Sequence, residues 1–164
     1  MAILITLSCN QTDNKKVNNS GLPAQEKNPE NFSIIQLDDR LAGADSLVFV
    51  FYKDPHGKDS LRYTRFYKQY ATIDSALINF VKSNLEGETT RFERIKKCRS
   101  EGKIWCFTNG EIFQTVYFSS FDNVCSFLYI IKNGQFYYSS ISEGMALKLK
   151  EMQKKAIDPT LEPR

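Results

Sequence analysis

A chain of 164 residues is one domain long, and its 41% hydrophobic content, with 12 Phe and 8 Tyr, is enough to fill a core. Against 22 Lys and Arg stand 19 Asp and Glu, a formal net charge of +3 that by itself implies neither nucleic acid nor an anionic membrane surface as partner. The most apolar twenty-residue stretch, 112–131, is interrupted by Gln114, Thr115, Ser119, Ser120, Asp122, Asn123 and Ser126, which excludes a membrane-crossing helix and predicts strands and a turn.

The chain opens on an apolar run, Ala2-Ile3-Leu4-Ile5-Thr6-Leu7-Ser8, which stops at Cys9 and gives way to the polar Asn10-Gln11-Thr12-Asp13-Asn14. A small residue before a cysteine at such a boundary resembles the lipobox of bacterial lipoproteins. The resemblance covers residues 1–10 and implies that Cys9 is diacylglycerated, that the chain is cut before it, and that residues 1–8 are what remains of a signal segment. No Lys or Arg precedes the run, the run is shorter than usual, and Thr6 stands where the family prefers Leu. A basic n-region is therefore expected upstream of Met1. Residues 10–31 hold six Asn, two Pro and a single β-branched aliphatic residue, Val17, too little apolar surface to offset the entropy of ordering. Residues 9–31 thus read as a flexible tether on the lipid, with a coil span of roughly 25–30 Å. Asn10-Gln11-Thr12, Asn18-Asn19-Ser20 and Asn31-Phe32-Ser33 match the N-glycosylation pattern, which an Asn-rich linker produces by chance.

From residue 32 the pattern changes to that of an ordered domain, expected to run to residue 157 with a disordered tail over 158–164. Ser46-Leu47-Val48-Phe49-Val50-Phe51-Tyr52 predicts a buried strand that ends at the turn cluster Asp54-Pro55-His56-Gly57. A second strand is expected over Leu61–Ala71. Within it, Arg62 to Tyr70 interleaves cations with aromatics, as single-strand nucleic-acid platforms do and as any half-exposed strand also does; the structural reading is preferred and no nucleic acid is expected. Asp74 predicts an N-cap, Leu77, Phe80, Val81 and Leu85 a helical stripe, and Gly87 its end.

From Arg91 the chain reads as an antiparallel meander. Glu101-Gly102, Asn109-Gly110 and Asn133-Gly134 each fall between runs of Ile, Phe, Tyr and Val and predict three hairpins, with a looser reversal over Ser119–Asn123. Ser142 predicts the cap of a last helix with Met145, Leu149, Met152 and Ala156 on one side, ended by Asp158-Pro159. The expected fold class is α+β, a curved antiparallel sheet (a four-to-five-strand meander plus the N-terminal strands) packed by two helices on one face. This element order resembles TATA-binding-protein-like and, more loosely, cystatin-like folds, a likeness of order alone that implies no function.

Chemistry is sparse in the sequence. His56 is the single histidine, so any Ser-His-Asp or Cys-His arrangement must use it, yet Pro55 and Gly57 explain its segment as an exposed turn. No metal site and no cofactor are expected, since the P-loop, GxGxxG, HExxH and GxSxG patterns are absent. A three-residue turn at Glu101-Gly102-Lys103 would set Cys98 opposite Cys106 within disulfide range; a pairing that involves Cys125, or three reduced core thiols, are the alternatives. Asp45-Ser46-Leu47, Asp59-Ser60-Leu61 and Asp74-Ser75-Ala76 resemble the three-residue O-glycosylation sequon of some exported Gram-negative proteins, although Asp-Ser opening a strand or helix is simpler. The meander carries more rings than two helices can cover. Phe113, Tyr117, Phe127, Tyr129 and Tyr138 are therefore the expected binding surface for a protein or glycan, with Phe127 and Tyr129 opposite Leu128 and Ile130. The reading that results is a small lipid-anchored envelope protein, a non-catalytic binding or structural module. A periplasmic inhibitor or immunity-type protein, a His56 enzyme and a cytoplasmic binding domain are the alternatives.

Overall fold

The computed structural model describes residues 33–57, 67–92, 98–120 and 124–159. The expectations placed on Cys9, the tether, Asp59-Ser60-Leu61 and most of Arg62–Tyr70 lie outside the described residues.

Among the described residues seven strands form one antiparallel sheet: β1 (Ser46–Tyr52), β2 (Tyr67–Thr72), β3 (Thr89–Phe92), β4 (Gly102–Thr108), β5 (Glu111–Ser120), β6 (Ser126–Lys132) and β7 (Gln135–Ser140). Their spatial order is β2-β1-β4-β5-β6-β7-β3. The four strands β4 to β7 are the expected meander. Its tight turns at Asn109-Gly110 and Asn133-Gly134 hold all four residues at positive φ, 53° and 81° in the first, 51° and 74° in the second. Asn and Gly tolerate that conformation, and its twist matches the strands it joins.

Glu101-Gly102 is no hairpin, contrary to the sequence expectation. The chain runs straight through it into β4, which pairs with β1 on one side and β5 on the other. Gly102 is there for room. A Cβ at this position would lie 2.1 Å from the Val50 carbonyl oxygen and 2.4 Å from Cζ of Phe118. β3 consequently does not join β4 but pairs with β7 at the far edge, Thr89 opposite Ser139 and Phe92 opposite Phe136.

Helix α2 (Ser75–Leu85) links the strand at one edge, β2, to the strand at the other, β3, and so must cross the sheet. Asp74 caps it, its carboxylate accepting from the Ala76 N–H at 2.9 Å. Helix α3 (Glu143–Lys155) is capped by Ser142, whose Oγ accepts from the Met145 N–H and donates to Asn84 Oδ1 of α2. Leu77, Ile78, Val81 and Leu85 of α2 pack with Met145, Leu149 and Met152 of α3 against Leu47, Phe49, Phe51, Ile104, Val116, Phe118, Leu128 and Ile130. Both long helices therefore take the Leu128/Ile130 face, the choice that alternation alone left open. After α3 the chain returns to the sheet edge, where Gln69 and Ile157 exchange two backbone hydrogen bonds outside β2.

One element was not expected. The short helix α1 (Ile34–Leu37) and a 3-10 turn over Asp39–Gly43 bury Ile34 and Leu41 in the same core. Ser33 and Gln36 form a reciprocal capping box.

Candidate binding face

Strand alternation sends every second side chain to the face away from the helices. The ladder partners Tyr117 and Tyr129, Tyr129 and Tyr138, and Ser119 and Phe127 all stand there. Their rings form one contiguous cluster. Tyr117 stacks on Tyr129 at 4.9 Å between centroids, Phe127 meets Tyr138 edge-on at 5.0 Å, and Tyr129 lies 5.1 Å from Tyr138. Phe136 continues the cluster at 5.9 Å from Tyr129. A second group on the same face brings Tyr67 edge-on to Trp105, with the Lys103 ammonium 4.6 Å from the Trp105 ring centroid. Burial holds the Lys103 pKa below the usual lysine range.

Four of the five residues expected to form the surface, Tyr117, Phe127, Tyr129 and Tyr138, are thus brought together. Phe113 is not. Between β4 and β5 the register slips, Cys106 facing Gln114 and Phe107 facing Ile112, so that Phe113 has no partner across the ladder. This bulge turns its ring toward the helix-side core, where the Arg40 guanidinium stands 5.5 Å from its centroid.

The face is less open than the surplus of rings suggests. Phe127 is only 8% and Tyr138 only 7% exposed, whereas Tyr117, Tyr129 and Phe136 are half-buried. The segment before β4 reaches this face at Tyr129. Ser100 Oγ lies 2.6 Å from the Tyr129 hydroxyl, and Arg99 donates to the Gly57 carbonyl at 2.7 Å. Cys98, two residues earlier, is bonded to Cys125 at the entry to β6.

That bond corrects the expected Cys98–Cys106 pairing. Without a hairpin at Glu101-Gly102, Cys98 never comes opposite Cys106. The Cys106 side chain instead points into the helix-side core, where burial pushes its thiol up to about 12.

At the other end of the face the sheet splits. β5 pairs with β4 along its length but with β6 only from Tyr117 to Ser120, leaving its first half without that neighbour. A groove of about 290 Å³ opens in the wedge, lined by Ile112, Phe113, Gln114, Thr115, Tyr117 and Ile131. Gln114 ties β5 to the segment that precedes β1. Its Oε1 takes the Thr115 N–H, and its Nε2 donates to Asp38. The Arg40 hydrogen bond holds the Asp38 carboxyl below the usual range, and Lys132 of β6 donates to the Leu37 carbonyl, so residues 37–40 brace both strands from the helix side.

His56 sits in the expected exposed turn, its Nε2 3.5 Å from Glu101 Oε1. The other Glu101 oxygen accepts from both the N–H and the Oγ of Ser120. These contacts run imidazole, carboxylate, hydroxyl, whereas activation of a serine needs the imidazole in the middle. Among the described residues, no three of His, Cys, Asp and Glu gather as a metal site, and no helix is long and apolar enough to cross a membrane. Ser46 donates to its neighbour Asp45, which also accepts from the Asn109 N–H, and Asp74 caps α2, so two of the Asp-Ser triplets have local structural roles.

Sequence reasoning overlooked the box at Ser33 and Gln36, although the S-x-x-Q spacing announces it. It also overlooked Ser100, for which no local signal exists. Compared with known proteins, the chain matches no family model, no curated protein and no solved structure.

Proposed function

We propose that this chain is a small lipid-anchored protein of a bacterial envelope whose globular part is a non-catalytic binding module for a protein or a glycan. The observation that carries the binding reading is the ring cluster Tyr117, Tyr129, Phe136 and Tyr138 on the sheet face away from the helices, continuous through Tyr117 with the groove at Ile112 and Ile131. Tyrosines suit recognition because each offers a broad apolar face with a hydrogen-bonding tip at small entropic cost. The anchor reading rests on the Ser8-Cys9 boundary and the Asn-rich tract that follows it.

Two measurements test the halves separately. Expressed behind a signal segment with a basic n-region, the full chain should partition into detergent and Cys9→Ser should not; retention of the serine form in the detergent phase removes the anchor. For the module, a partner retained from envelope extract or a glycan array is titrated with wild type, Tyr117→Ala and His56→Ala. Loss of about tenfold or more in affinity, equivalent to about 1.4 kcal/mol, is expected for Tyr117→Ala and none for His56→Ala. The reverse pattern with intact folds would favour a hydrolase or transferase built on His56.

A further inference from the structure

The segment Cys98–Glu101 has the build of a strap. At one end Glu101 is woven into the sheet: its N–H donates to the Phe118 carbonyl, and its carbonyl accepts from the Tyr52 N–H. At the other end Cys98 is tied to Cys125, and between them Ser100 meets the hydroxyl of Tyr129, the ring at the centre of the aromatic cluster. Apart from the disulfide, the contacts holding residues 98–100 include two hydrogen bonds that water can replace, Ser100 to Tyr129 and Arg99 to the Gly57 carbonyl.

Three observations mark this strap as separable from the fold. Neither Cys98 nor Cys125 belongs to the hydrophobic core, which lies across the sheet with the helices. Both cysteines are partly exposed and Val124, next to Cys125, is 77% exposed, so the bond lies near the surface. Ser119, on the strap's face opposite Phe127, is 0% exposed, and among the described residues its Oγ has no hydrogen-bond partner. Its two neighbours, Phe118 and Ser120, both bond to Glu101. A sealed hydroxyl without a partner is unfavourable, and this one lies in the seam where the strap joins β5.

We propose that the Cys98–Cys125 bond is a redox latch that holds the strap over Tyr129 and that its reduction bares the aromatic cluster. A dithiol reductant supplies two electrons and two protons to the bond and closes to its own disulfide, leaving two cysteine thiols; oxidation by a disulfide-donating partner reverses the step. That the bared cluster is where a ligand binds rests on the function proposed above; the latch itself does not.

The test therefore uses no ligand. Tetranitromethane modification of Tyr129, followed by peptide mass mapping, is compared in the oxidised full chain and in Cys98→Ala/Cys125→Ala. In parallel, amide hydrogen exchange of residues 98–101 is followed in the wild-type chain before and after dithiothreitol, with α2 and α3 as internal controls. The latch predicts that Tyr129 nitrates at least about tenfold faster in the double variant and that residues 98–101 lose protection on reduction while both helices keep theirs. Equal nitration rates, or unchanged exchange at 98–101 with both thiols shown to be free, overturn it. So does loss of helix protection in step with the strap, because the bond then staples the whole domain. If the double variant does not fold, exchange in the reduced wild type decides the matter alone. A latch that opens while Tyr117→Ala leaves partner affinity unchanged would sink the binding reading and spare the latch.

Discussion

The two faces of the sheet are built from alternate residues of the same strands, yet they are held by different physics. Toward the helices stand Phe49, Ile104, Val116, Leu128 and Ile130, all sealed beneath Leu77, Val81, Met145 and Leu149. Their cohesion is apolar burial and close packing. Toward the other side stand rings with polar tips, Tyr117, Tyr129 and Tyr138, whose contacts include ring stacking, the meeting of the Tyr129 hydroxyl with Ser100 and a disulfide nearby. A polar contact can exchange its partner for water, whereas a sealed apolar side chain cannot. The difference separates a face sealed by apolar packing from one whose rings keep polar tips.

Adjacent residues allow the sharpest test of that division. Phe118 and Tyr117 are neighbours on β5 pointing to opposite faces; Phe118 is 1% exposed and meets Phe51 at 5.6 Å. In urea unfolding, Phe118→Ala is expected to cost about 3–5 kcal/mol, and Tyr117→Ala about 1–2 kcal/mol, chiefly its stacking on Tyr129. Equal losses would mean that both faces carry the fold and would end the comparison.

Gly102 gives the next effect in size. Because a Cβ there would meet the Val50 carbonyl and the Phe118 ring, Gly102→Ala must force β1 and β4 apart. The expected loss is about 1–3 kcal/mol, the range of an overpacked core. A neutral result would show that the β1–β4 pairing yields easily and is not the rigid seam between the faces.

Much of this was legible because it is local. Asn109-Gly110 and Asn133-Gly134 specify their hairpins through backbone conformation, and Asp74 and Ser142 cap their helices by reaching the N–H groups of Ala76 and Met145. The α+β class and the single helix-covered face followed from period and composition. The failures are all questions of what lies across space. Glu101-Gly102 looks like a hairpin until β1 takes the place beside β4, and this one substitution of partner displaces β3 to the far edge and frees Cys98 to reach Cys125. Phe113 has the right parity for the aromatic face, and only the bulge opposite Cys106 and Phe107, invisible in the residue order, turns it inward. Of the candidate surface, alternation placed Tyr117, Phe127, Tyr129 and Tyr138 together, but no pattern announces that Ser100 would lean on Tyr129.

The hydroxyl contact offers a finer cut. Tyr129→Phe keeps the ring among Tyr117, Phe127, Phe136 and Tyr138 and removes only the group that faces Ser100 at 2.6 Å. A stability loss of about 1 kcal/mol is expected. Faster hydrogen exchange should be confined to residues 98–101. A loss as large as that of Phe118→Ala would place Tyr129 with the packed face instead.

The smallest effect comes from the solvent side of the helix layer and asks whether that layer depends on charge at all. Glu151 accepts from Lys148 at 2.8 Å and from Lys155 at 2.6 Å, and these two ammonium groups lower its carboxyl pKa to about 2. A carboxyl depressed in the folded state stabilises the fold above its ordinary pKa, near 4.5, and loses that contribution as the pH falls from there toward 2. All three side chains are well exposed, so solvent screens the pairs and the contribution is slight. Glu151→Gln should accordingly lower the thermal midpoint a little at pH 7 and converge with wild type at pH 2, and added salt should narrow the gap at pH 7. A difference between the two proteins that is as large at pH 2 as at pH 7 would show that Glu151 acts through packing rather than charge. The helix face would then lean on α3's outer surface as well as on Met145, Leu149 and Met152, and the line between a packed face and an adaptable one would have to be drawn elsewhere.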